Sequence, residues 1–125
     1  MIGQKNSFSA RELASGAVVV QQLRPAHTHW TRLKGLLGTK SLDDGQGLWI
    51  KPCNQVHMFF MKYAIDLVFL DDDHRVVRLI EGLAPGKISP KVPEARSVLE
   101  LPVGTIVRVG LAEGASLAID DTVRH

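Results

Sequence analysis

Short β-branched and aromatic runs, separated by Gly, Pro and Asp, recur along most of this chain. That is the pattern of strands joined by tight turns. Ala17 to Leu23 (AVVVQQL) predicts a strand, ended by Pro25. Gly47 to Lys51, Val56 to Met61 and Ile65 to Leu70 predict three more. Asp71-Asp72-Asp73-His74 predicts a tight turn, with Arg75 to Ile80 as the returning strand of a hairpin. Leu83 to Glu94 holds Pro85, Gly86, Pro90 and Pro93 and reads as a surface loop. Ser97 to Leu101, Thr105 to Leu111 and Ser116 to Ile119 predict the last strands. Thr28 to Leu37 alone has helical spacing: Trp30, Leu33 and Leu37 form a stripe, Thr28 can cap the first turn and Gly38 can stop the last. Met1 to Gly16 is polar and reads as a tail or arm. The expected fold is mainly β, bordering on α+β: a small barrel- or sandwich-like antiparallel sheet with one short helix near residues 28–37. One compact domain is expected over 17–125.

Composition narrows the class. The chain has 125 residues, 45% hydrophobic and 22% charged, with a net charge of +2. That suits one globular domain and argues against disorder. The charge is too small to point to nucleic acid or an anionic membrane as partner. A single cysteine rules out an internal disulfide. The apolar runs fall short of the ~20 residues of a membrane span, and the first residues lack the apolar core of a signal peptide. The expectation is a soluble, cytoplasmic monomer.

Several side chains could carry chemistry. Cys53, His57 and Met61 are four residues apart and form a soft ligand set for copper or, without Met61, zinc. On a strand that spacing spans ~13 Å, too far for one ion, so a turn at Pro52-Cys53-Asn54 and an outside ligand such as His27 or His29 would be needed. The alternative is that Cys53 and Met61 pack and His57 is hydrogen-bonded. Cys53 as a nucleophile would need His57 as base and Asp66 or Glu100 as orienting group, with Lys51 or Lys62 lowering the thiol pKa; no flanking nucleophile motif accompanies it, and no catalytic set is assigned. Asp66 shares a strand face with Val68 and Leu70; if that face is covered, its carboxylate is at least partly buried and must be paired, with Arg32, Lys62 or the backbone. Glu100, between Leu99 and Leu101, poses the same question; the bland alternative for it is an exposed position on a one-sided strand. Trp30, Trp49, Phe59, Phe60 and Tyr63 lack interleaved cations and read as core rather than as a base-stacking surface. No glycine-rich phosphate loop is present.

The stretch Cys53 to Leu70 (CNQVHMFFMKYAIDLVFL), an Arg-x-x-Gly-Leu element at Arg32, Gly35 and Leu36, and the element Val98 to Gly104 (VLELPVG) together resemble the domain of unknown function 192 family of small prokaryotic proteins. The resemblance covers roughly residues 18–119. It implies a mostly β fold with a short helix and no particular reaction. Many proteins of that family carry a secretory or lipid-type leader, which this sequence does not show. The functional expectation is a non-enzymatic binding module for a small ligand or a protein, with His57, Lys62, Asp66, Glu100 and Arg32 converging in a cleft. The rival is a copper- or zinc-dependent protein centred on Cys53 and His57. A third reading is an interaction protein presenting an edge strand or the Pro85 to Pro93 loop.

Overall fold

The structure, a computed structural model, describes residues 7–26, 42, 45–59 and 61–121. The expected helix at 28–37, with Arg32, and also His27, His29, Trp30 and Phe60, lies outside the described residues. Seven strands form one sheet: β1 (Phe8–Glu12), β2 (Val18–Ala26), β3 (Gln46–Ile50), β4 (Ile65–Leu70), β5 (Val76–Leu83), β6 (Ser97–Pro102) and β7 (Leu117–Asp121). Their order across the sheet is β5-β4-β6-β3-β2-β1-β7. The pairs are antiparallel except β2 with β3, which is parallel, so the sheet is mixed rather than wholly antiparallel as expected. The sheet curls into a half-barrel. An isolated bridge between Arg75 and Ser116 brings the two outermost strands together at one point. Hydrogen bonds from Val76 N–H to the Ala115 carbonyl (2.8 Å) and from Leu117 N–H to the His74 carbonyl (3.0 Å) hold that closure.

Curling gives the sheet an inner and an outer face, each with its own core. The inner core takes residues from all seven strands, among them Ala10, Leu23, Trp49, Val68, Val76, Leu99 and Leu117. Only a concave surface can gather side chains from every strand. The outer core takes Leu48, Leu67, Phe69 and Val98 from the central strands and covers them with Val56, Met58, Met61, Val92 and Ala95 from two long loops. β4 is therefore buried on both faces, which explains its unbroken apolar run. Gly47 marks a close approach of β3 to β6. A Cβ there would lie 2.8 Å from Leu101 Cδ2 and 2.9 Å from the Glu100 carbonyl oxygen.

Four expectations are corrected. Phe8–Glu12 is a strand rather than part of a tail, hydrogen-bonded to β2 on one side and β7 on the other. Its sequence, FSARE, gives little apolar signal because only Phe8 and Ala10 reach the inner core. Thr105–Val109 is a helix, α1, rather than a strand. Two glycines in left-handed conformation bracket it, Gly104 (φ 95°) and Gly110 (φ 73°), and tertiary hydrogen bonds described below outweigh the modest helix penalty of its β-branched residues. The described residues of 56–61 form no strand; among them only His57 makes a bridge, to Ile88, and Met61 N–H bonds the Met58 carbonyl at 3.2 Å. The alternation that suggested a strand comes from Val56 and Met58 packing downward onto the outer core. Pro25 also lies within β2, opposite Trp49. Pairing with β1 has ended by then, at Phe8 opposite Leu23, so one side of the strand tolerates a residue without an N–H.

Candidate functional site

The sheet separates the two carboxylates that sequence placed together. Asp66 stands opposite Leu101, while Glu100 stands opposite Leu67 on one side and Leu48 on the other. Directly opposed residues share a face. Leu101 belongs to the inner core, and Leu48 and Leu67 belong to the outer one. Asp66 therefore points inward and Glu100 outward, and the two cannot converge in one cleft. Both are fully buried, so the exposed alternative for Glu100 does not hold.

Asp66 is fully accounted for by backbone donors. Its Oδ1 accepts the Gly82 N–H at 2.9 Å, and its Oδ2 accepts the N–H groups of Gly104 (3.1 Å) and Ile106 (3.0 Å). The backbone is its partner, not Lys62, which is exposed. One carboxylate thus pins β5, the β6–α1 turn and the first turn of α1 to the start of β4. It supplies acceptors that the opening turn of a helix otherwise lacks.

Glu100 lies in the middle of the outer face, flanked by leucines on both neighbouring strands. It is engaged with a partner, as a buried carboxylate must be. Over this face runs the loop from Lys51 to Ala64. Val56, Met58 and Met61 anchor the loop in the outer core. Ser89 fixes it to the proline-bearing loop: its hydroxyl accepts the Val56 N–H at 2.9 Å and donates to the Pro90 carbonyl at 2.9 Å. Further bonds run from Met58 N–H to the Lys87 carbonyl (2.8 Å) and from Gly86 N–H to the Met58 carbonyl (2.9 Å).

With Val56 and Met58 turned in, His57 and Phe59 turn out. Their rings lie 5.4 Å apart, tilted by 35°. Phe59 is 49% exposed and Ile88, the bridge partner of His57, is 48% exposed. The expectation that Phe59 is core is thus corrected. Trp49 is core, as read. Lys62 is an exposed cation three residues beyond Phe59. Cys53 is half-buried, and its thiol donates to the Gln55 carbonyl at 3.2 Å. Met61 packs in the outer core. Among the described residues, no three His, Cys, Asp or Glu side chains gather where a metal ion could sit. Among them, too, no helix is long and apolar enough to cross a membrane.

A family model matches residues 11–119: DUF192, uncharacterized ACR. The chain belongs to the DUF192 family. A UPF0127 protein of Thermococcus sibiricus is 31% identical over 96 residues, covering 73% of this chain and 61% of that protein. The chain therefore spans less than two thirds of that relative's length. Two solved structures share the fold at 21% identity. A protein of unknown function from Novosphingobium aromaticivorans has a TM-score of 0.73, over 90% of this chain and 83% of that one. A putative transcription regulator from Sinorhizobium meliloti has a TM-score of 0.72, over 92% and 93%.

The elements that resemble DUF192 have separate physical jobs in this chain. Asp66 and Gly104, from two of those elements, bond each other, so part of the pattern holds the half-barrel together. The His57 to Lys62 stretch forms the outer loop. Arg32, Gly35 and Leu36 lie outside the described residues. The exposure of Phe59 went unread in the sequence, although the alternation Val56, His57, Met58, Phe59 already puts His57 and Phe59 on one side.

Proposed function

We propose that this DUF192 protein is a non-enzymatic binding module that engages a small ligand or a protein partner on its loop-covered outer face. One observation carries the reading. The loop packed on the face that buries Glu100 turns a histidine and a phenylalanine outward, beside an exposed isoleucine. A patch of ring and aliphatic surface edged by a cation is what a binding surface uses for area and orientation. Lys62, three residues beyond Phe59 on the same loop, is the exposed cation, and His57 contributes the face of its ring. Arg32 remains a candidate contributor from the sequence alone, and Asp66 is given a structural part instead.

The test is a protein-observed NMR titration with a library of small aromatic acids, aromatic amines and neutral aromatics. Amide shifts should cluster at residues 56–62 and 86–89. His57→Ala and Phe59→Ala should weaken them without altering the rest of the spectrum. Hits that cluster elsewhere, or no hits against a well-dispersed spectrum, would remove the reading.

A further inference from the structure

The two loops over the outer core run alongside each other as an antiparallel ribbon. Val92 N–H bonds the Asn54 carbonyl, Ser89 N–H the Val56 carbonyl and Met58 N–H the Lys87 carbonyl, each at 2.8 Å. The last two bonds flank the His57–Ile88 bridge and make it the closely spaced kind, in which opposed side chains lie nearest. At that end of the ribbon the Met58 carbonyl accepts two N–H groups, from Gly86 (2.9 Å) and Met61 (3.2 Å). Lys87 follows the first donor in the chain, Lys62 the second, and Phe59 follows Met58 itself. One carbonyl thus brings two exposed lysines and a half-exposed ring to one corner. Charge elsewhere on the ribbon is offset. Lys91 and Glu94 lie on either side of Val92 in the chain, at the Asn54 end. Arg96 donates to the Pro93 (3.0 Å) and Ala95 (3.2 Å) carbonyls and approaches Asp72 at 3.9 Å. Among the described residues neither Lys62 nor Lys87 is in an ion pair.

We propose that this corner docks an acidic segment of a partner protein, one that carries an apolar residue between carboxylates. The inference rests on the outer-face reading and gives that face its partner. Phe59 and Ile88 each keep about half of their surface in solvent (49% and 48%), so they offer a face to lie against. A small ligand is held by enclosure of most of its surface, whereas a chain segment can lie along such a face and bring several carboxylates on one backbone. The ring and the isoleucine take the apolar side chain. The two ammonium groups take the carboxylates, by charge-assisted hydrogen bonds. Because both lysines are exposed, their share is in steering and orientation, and it weakens with salt.

The experiment titrates the ¹⁵N-labelled protein with the capped peptide Gly-Glu-Phe-Glu-Gly, with versions carrying Gln or Lys in place of Glu, and with 3-phenylpropionate. The amides of His57–Phe59, Lys62, Lys87 and Ile88 should shift. The acidic peptide should bind about tenfold more tightly than the lysine one at ~0.01 M salt, and the gap should narrow at ~0.15 M. Lys62→Gln combined with Lys87→Gln, folded by its amide dispersion, should still bind but lose the preference for acid. Equal binding of the acidic and lysine peptides at these amides would overturn the inference and leave the outer face a binding surface. A preference that survives the double substitution would overturn it too. So would 3-phenylpropionate binding as tightly as the acidic peptide, which would make the occupant a small carboxylate. Silence of these amides toward all four probes at millimolar concentration would remove the outer-face reading together with the inference.

Discussion

Two fully buried carboxylates sit on adjacent strands of one sheet, one register step apart, and face opposite ways. Asp66 looks into the half-barrel and is saturated by three backbone N–H groups drawn from three places in the chain. Glu100 looks out, between two leucines, into a core roofed by loops rather than by strands. The inner face is enclosed by the curl of the sheet and by α1, and its polar group is spent on architecture. The outer face is closed by a loop that also shows Phe59 to solvent, with the half-buried His57 ring against it. Burial alone therefore does not mark a functional carboxylate. What distinguishes the two is the cover: Asp66 is tied to three backbone N–H groups inside the half-barrel, and Glu100 lies beneath a core that loops close.

The largest expected effect tests the inner side of this contrast. Asp66→Asn puts an amide NH₂ against backbone N–H donors and leaves at least one of them without an acceptor. Each such buried donor costs ~1–3 kcal/mol, and the loss also loosens the first turn of α1. The urea midpoint should fall by the equivalent of about 3 kcal/mol, with loss of protection at Gly104 and Ile106 in hydrogen exchange. A loss below ~1 kcal/mol would mean that those N–H groups have another acceptor.

Next is the strand crossing that lets both faces pack. Gly47→Ala drives a methyl into the Leu101 side chain and the Glu100 carbonyl oxygen. The leucine can turn aside, but the backbone oxygen cannot. Overpacking of this kind costs ~1–3 kcal/mol, read again from the denaturant midpoint. An unchanged midpoint would show that β3 and β6 can part without cost.

These two positions also show what could be read from sequence. Ile65–Leu70 was legible to the residue, and so was the face that Asp66 shares with Val68 and Leu70, because side-chain alternation is a local property. The Asp71 turn was legible too: its Oδ1 accepts the N–H groups of Asp73 and Arg75, both at 2.9 Å. β1 and α1 were not. β1 is held by backbone pairing on both sides, which leaves little trace in side-chain pattern. α1 owes its form to acceptors supplied by Asp66, about 40 residues earlier in the chain. Nor was the burial of Glu100, for a related reason. Whether a strand has one buried face or two depends on what covers it, and the cover here is a loop from elsewhere in the chain. The candidate cleft failed on geometry: strand pairing puts Asp66 and Glu100 on opposite sides, and no single-strand reading contains that register.

Glu100→Gln sharpens the same contrast from the other face. Glu100 sits in mid-strand, where the ladder to β3 and β4 holds its neighbours regardless of its charge. The substitution should lower the midpoint less than Asp66→Asn does. It should weaken fragment binding at the outer face about tenfold, or ~1.4 kcal/mol. If instead Glu100→Gln is the more destabilising of the two and leaves fragment binding unchanged, Glu100 is architecture as well, and the contrast collapses.

The smallest effect on stability is expected where the effect on binding is large. Phe59 is half in solvent, anchored by its ring contact with His57 rather than by the core, so Phe59→Ala should move the midpoint by no more than ~0.5 kcal/mol. Met58, its neighbour in sequence, is fully buried in the outer core, and Met58→Ala should cost clearly more than Phe59→Ala, ~2 kcal/mol. The pair is informative because the two side chains leave the same loop in opposite directions. A protein that keeps Phe59 only for packing would lose stability on truncation and show no change in fragment titrations. A protein that keeps it for recognition would show the reverse. Stability and binding measured on both variants therefore separate a loop that merely roofs the outer core from one whose outward side is a binding surface.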